Sequence, residues 1–129
     1  MKKTVSAVLT VCLAFGAALS ARYYLSGMNA AEVIRKLSGI RMALALYTLE
    51  HKTAPAAFED LLREGKLEAA PAIKLRRHFR RAAVRNTATF EIKDSGAWAY
   101  VNSPKDPRFG LVYIDCAHMD EKGRYWSDF

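Results

Sequence analysis

Cys116, His118 and Asp120 form a C-x-H-x-D run near the end of this 129-residue chain. Thiolate, imidazole and carboxylate are the ligand types of zinc, and alternate residues of a strand share a face. A metal site there needs ligands from elsewhere in the chain, and C-x-H-x-D is not the spacing of a known site. The run is therefore read as a strand end with ordinary turn residues. Asp115, Asp120, Glu121 and Asp128 offer oxygen donors, of which calcium takes about six to eight, but their spacing is not that of an EF-hand loop. A solvated acidic edge is expected instead. Neither a metal nor a cofactor is expected.

Catalytic patterns are missing. The other histidines are His51, at a helix end, and His78, within a basic run. No serine lies in a G-x-S-x-G elbow, and H-E-x-x-H, the Walker A loop and G-x-G-x-x-G do not occur. Cys116 reads as a buried strand residue rather than a reactive thiol. Cys12 lies in an apolar run after Val11, a poor match to a lipid-attachment site. No catalytic residues are assigned.

The strongest signal is charge. The chain carries 20 basic and 13 acidic residues, a net of +7. Lys74–Arg85 holds six of the basic residues (Lys74, Arg76, Arg77, Arg80, Arg81, Arg85) and no acid, so the remainder is close to neutral. Read as a helix, this segment pairs Arg76 with Arg80 and Arg77 with Arg81 at i,i+4, with Leu75, Phe79 and Ala82/Ala83 opposite. Such a ridge suits phosphate, whether of nucleic acid or anionic lipid. Phe79 alone is available for stacking bases, which weakens a single-strand nucleic-acid reading. Arg76, Arg77, Arg80 and Arg81 are the candidate interaction surface.

The elements that must position these residues begin with Lys2-Lys3 and an uncharged stretch, Val5–Ala21 (VSAVLTVCLAFGAALSA), of 17 residues. Residues 1–28 are expected to act as a signal or anchor, through cleavage after Ala21 or retention of residues 4–21 in the membrane. Asn29 is an N-cap with Glu32 three residues on, opening a helix over 29–51. Val33, Leu37, Ile40, Leu44 and Tyr47 form its apolar stripe, widened by Met42, Leu46 and Leu49. Gly27 and Asn29 break it from the segment before. A short helix over 55–64 follows, with Phe58, Leu61 and Leu62 on one face and Gly65 as its stop.

From there the period changes to two. Strands are expected at Thr87–Ile92, Ala97–Val101, Gly110–Asp115 and Arg124–Phe129, joined by short turns into an antiparallel sheet over 87–129. The fold class is α+β: a long N-terminal helix packed on a small antiparallel sheet, with 29–129 as one globular domain and 74–85 as its basic segment.

Two stretches resemble the type IV pilin-like proteins and the pseudopilins of type II secretion. Ile40–Leu67 is similar to the family pattern in which a long helix ends just before the globular head, with Ala43, Leu44, Leu46, Tyr47, Pro55 and Leu61 at the matching positions. Gly96, Trp98, Tyr100, Gly110 and Val112 match the strand pattern that follows. The N-terminus departs from the family: Gly16 precedes Ala17 rather than Phe, and the first acid is Glu32.

The resemblance implies a non-enzymatic subunit of a pilus or secretion system. It would be exported, held in the bacterial inner membrane with its head in the periplasm, and would act by contacts with other pilin-like subunits or secretion-system proteins. The alternative is a soluble periplasmic module, released by signal cleavage, whose arginine ridge takes an anionic ligand or DNA. An enzyme using Cys116 or His118 is the remote third reading.

Overall fold

The computed structural model describes the backbone of residues 1–129 and every side chain except those of Lys2 and Lys3. The first helix, α1, is Lys2–Leu25. The chain then turns extended at Ser26, and the Met28 N–H donates to the Lys74 carbonyl at 2.8 Å. Gly27 permits that approach, because a Cβ there would sit 2.7 Å from the Arg76 backbone nitrogen. The break foreseen at Gly27 and Asn29 is therefore a docking point for the basic segment.

Helix α2, Ala30–His51, starts where its cap says it should: the Asn29 Oδ1 accepts from the Glu32 N–H at 2.9 Å. It ends at Lys52, which is left-handed with φ 61. Ala30, Val33, Leu37, Ile40, Ala43, Leu44 and Tyr47 are buried. Met42, Leu46 and Leu49 do not widen that stripe; they are 68%, 49% and 67% exposed on the other side of the helix. The short helix α3 shrinks to Glu59–Arg63, with Phe58 and Leu61 buried and Leu62 at the surface.

The layout is α+β, with α2 against a small sheet of three strands. The strands are β1 (Val84–Thr87), β2 (Ala97–Val101) and β3 (Val112–Asp115), in spatial order β1-β2-β3. β2 and β3 pair antiparallel, Trp98 opposite Ile114 and Tyr100 opposite Val112. β1 runs parallel to β2, so the sheet is mixed where an antiparallel meander was expected.

Two strand expectations need correction. Thr87–Ile92 is no strand beyond Thr87; it is part of the crossover between the parallel pair. Its alternation instead lays Phe90 and Ile92 on the outer face of the sheet, over Ala99, Val101 and Tyr113, with Phe90 and Tyr113 rings 4.4 Å apart. Arg124–Phe129 makes one bridge, Met119 to Tyr125, and then a single 3-10 turn that drops Trp126 into the core. The core proper lies between α2 and the inner face, where Trp98, Tyr100, Val112 and Ile114 meet Val33, Leu37, Ile40 and Leu44. Burying β2 on both faces explains its continuous apolar run.

Candidate functional site

The basic segment is not a helix. Ile73 and Arg81 form an antiparallel bridge, and between them the chain turns through Arg77 at φ 66. The i,i+4 ridge and its apolar seam therefore do not form. Leu75 is buried, whereas Phe79 is 60% exposed and packs against Tyr23 and Tyr24 at the end of α1.

The six cations divide into two sets. Lys74 is buried, its ammonium donating to the Ser26 and Leu75 carbonyls at 2.7 and 3.0 Å, and burial pushes its pKa down. Arg85 turns inward to the Glu91 carbonyl and the Asp115 carboxylate. Arg76, Arg77, Arg80 and Arg81 are all exposed, and among the described residues none has an acidic side chain within ion-pairing distance. The four stand at the foot of α1: the Arg77 N–H donates to the Tyr24 carbonyl at 2.8 Å, and the Arg80 N–H lies 3.4 Å from the Tyr23 hydroxyl.

Behind that turn lies a second constellation. His78 Nε2 is 3.3 Å from the Cys116 sulfur, 3.2 Å from His118 Nδ1 and 3.2 Å from Asp94 Oδ1. His118 Nδ1 is 3.6 Å from the sulfur and 3.3 Å from Asp94 Oδ1. His78 and Cys116 are buried; His118 and Asp94 close the outer side at 30% and 38% side-chain exposure. Burial pushes the Cys116 thiol up to about 12. Burial also drives His78 below the usual histidine range, against the pull of Asp94.

Local folding explains why these side chains meet. Asp115, at the end of β3, accepts from the Lys93 and Asp94 N–H groups and from the Ser95 hydroxyl, which fixes the turn carrying Asp94. Those bonds and Arg85 hold its carboxyl low against the opposing effect of burial. Asp94 itself is left-handed at φ 56, and its Oδ1 accepts from the Ala117 N–H at 2.8 Å. Gly96, at φ +69, leaves the space that the His78 ring fills.

The expected solvated acidic edge does not form: Asp115 and Asp120 are buried, and their carboxylates hold turns. Asp120 accepts from the Lys122 and Arg124 N–H groups and pairs with the Arg124 guanidinium, while Glu121 accepts from the Ala30 N–H at the start of α2. Of the C-x-H-x-D run, Cys116 and His118 converge and Asp120 does not. The residues that join them are His78, from the basic run, and Asp94, from the turn before β2.

Compared with known proteins, the chain matches no family model, no curated protein and no solved structure. One finding bears on location. Thr4–Leu25 in α1 is 22 residues long, exposed throughout, and includes an 18-residue window of mean hydropathy 1.9, long and apolar enough to span a membrane or serve as a signal sequence.

Proposed function

We propose that this chain is a non-enzymatic, membrane-tethered structural subunit of the pilin-like or pseudopilin-like kind, exported so that its α+β head lies in the periplasm. It works by contacts with other pilin-like subunits or secretion-system proteins. The observation that carries the reading is α1: apolar side chains such as Leu9, Leu13 and Phe15 are more than 60% exposed, and water does not tolerate such a helix unaccompanied.

Two further features support it. The two stretches that resemble the family meet in space, the Tyr100 hydroxyl donating to the Pro55 carbonyl at 2.6 Å and Tyr47, Leu61, Trp98 and Val112 sharing one core. Met42, Leu46 and Leu49, at i, i+4 and i+7, present an exposed apolar stripe on α2 to a neighbouring subunit.

The position of the basic segment gives the arginines a partner on this reading. Tyr23, Tyr24 and Phe79 cluster at the C-terminal end of α1, where the Arg77 and Arg80 backbone meets Tyr24 and Tyr23. An anchored α1 would set this turn near the bilayer surface, where such aromatics are favoured. Anionic lipid phosphate is then the ligand of the four exposed arginines, at about 1 kcal/mol for each that reaches the surface. DNA and a soluble anion belong to the alternative, a module freed by cleavage.

Membrane fractionation with N-terminal sequencing tests the reading. The chain is expected in the alkali-resistant membrane fraction with residues 4–21 intact. A mature protein that starts at Arg22 and is found in the soluble fraction overturns it in favour of the alternative.

A further inference from the structure

We propose that His78, Asp94, Cys116 and His118 form a closed, four-ligand zinc site, in which the metal clips the basic segment to the ends of β2 and β3. The inference goes beyond the proposed function and does not depend on it.

Geometry carries the proposal. Zinc binds nitrogen and oxygen at about 2.0–2.2 Å and thiolate sulfur at about 2.3 Å, usually as a tetrahedron. A tetrahedron of those radii places its nitrogen and oxygen ligands about 3.3–3.5 Å apart and its sulfur about 3.6 Å from each of them. The observed nitrogen–nitrogen and nitrogen–oxygen edges are 3.2, 3.2 and 3.3 Å, and the sulfur–nitrogen edges are 3.3 and 3.6 Å. All four donor atoms lie within 4.8 Å of one another.

Hydrogen bonding serves only part of this packing. His78 Nε2 faces a sulfur, a ring nitrogen and a carboxylate oxygen at once, yet it has at most one proton to give. His118 Nδ1 faces the same sulfur and the same carboxylate oxygen, Asp94 Oδ1. The two rings and the thiol can give at most three protons to these five close contacts, whereas one cation at their centre would serve all four donor atoms.

The surroundings are built for the purpose. Three of the residues that shape the cluster are left-handed: Arg77 (φ 66) turns the chain into His78, Asp94 (φ 56) is itself a ligand, and Gly96 (φ 69) admits the His78 ring. Backbone strain concentrated at one place is a mark of a functional site. The His118 N–H points to the Cys116 sulfur at 3.4 Å, as amides do toward metal thiolates, and the Ala117 N–H orients Asp94.

Zinc is favoured over other metals by the donors. Calcium and magnesium want oxygen alone. A blue-copper centre uses two histidines and a cysteine with a long axial ligand, whereas here the Asp94 oxygen is as close as the nitrogens. Four protein ligands leave no open position for a substrate, so the role is structural. A second group, Glu50, His51 and Glu64, is wholly exposed, and Glu50 already pairs with Lys66, so it serves as the control.

The test uses the full chain in detergent. Protein purified without added metal is expected to hold one zinc per chain by elemental analysis. After chelator stripping, cobalt titrated into the folded apoprotein should give the intense visible bands of tetrahedral cobalt and a thiolate charge-transfer band at one equivalent. Cys116→Ser should lose the charge-transfer band, and His118→Ala, at the outer side of the cluster, should bind cobalt at least about 100-fold more weakly. His51→Ala should bind as the unmodified chain does.

Three results overturn the proposal: an unmodified chain folded by circular dichroism that takes up no metal, a cobalt adduct without thiolate charge transfer, or binding lost in His51→Ala. Copper in place of zinc in the purified chain overturns the identity of the metal.

Discussion

Gly96 and Gly123 make a matched pair. Both have positive φ, +69 and +76, but a Cβ on Gly96 would overlap the His78 imidazole while one on Gly123 meets nothing within 4 Å. Gly123→Ala should therefore cost only the left-handed backbone penalty, about 1–2 kcal/mol. Gly96→Ala adds the displacement of a packed ring, another ~1–3 kcal/mol. Urea denaturation of the two variants measures the difference, and equal losses would mean that His78 does not sit where its ring is placed. The same comparison shows what was legible at this scale. Cys116 and His118 stand out in sequence because alternate residues share a face. His78 is 38 residues from Cys116, and only the folding of the basic segment across the sheet brings them together. Asp94 is a turn residue, and its place beside the histidines depends on Asp115 holding that turn.

Elements were legible where local chemistry and packing agree. The cap at Asn29 and the stripe Val33-Leu37-Ile40-Leu44-Tyr47 both specify α2, and both are realised. Asn29→Ala should cost about 1 kcal/mol, read as a shift in urea midpoint without a change in slope. The basic segment misled because its i,i+4 arginines also fit a helix, and nothing local announces that Ile73 will pair with Arg81. Thr87–Ile92 misled in the same way: alternation is needed equally by a strand and by a loop that covers one face of a sheet. The exposed stripe on α2 gives a prediction of its own. Leu46→Arg should leave the unfolding free energy from urea denaturation within ~0.5 kcal/mol, since the residue is 49% exposed, yet on the proposed reading should reduce crosslinking from α2 to neighbouring subunits in intact membranes. Unchanged crosslinking would exclude this stripe as the subunit interface.

For the whole molecule, the question is how independent the head is of α1. The core cluster draws only on residues from Met28 onward, so removing α1 takes away no buried apolar surface of the head. What it takes is local: the Tyr24 carbonyl that accepts from the Arg77 N–H, and the rings of Tyr23 and Tyr24 against Phe79. Ser26 must stay, because its carbonyl accepts from the buried Lys74 ammonium, which otherwise keeps only the Leu75 carbonyl, and a lost hydrogen bond to a charged group costs about 1.5–3 kcal/mol. A fragment of residues 26–129 should thus fold in water with a loss of about 1–2 kcal/mol, a Tm lower by about 5–10 °C. A fragment starting at Asn29 should lose considerably more, although it differs by three residues. Hydrogen exchange on the full chain in nanodiscs completes the argument. Amides of residues 76–82 should exchange more slowly in anionic than in zwitterionic bilayers, with the difference erased by high salt and by joint Arg→Ala replacement at 76, 77, 80 and 81. Protection independent of lipid charge would mean that the aromatic cluster alone seats the head and that the arginines serve a partner other than the membrane.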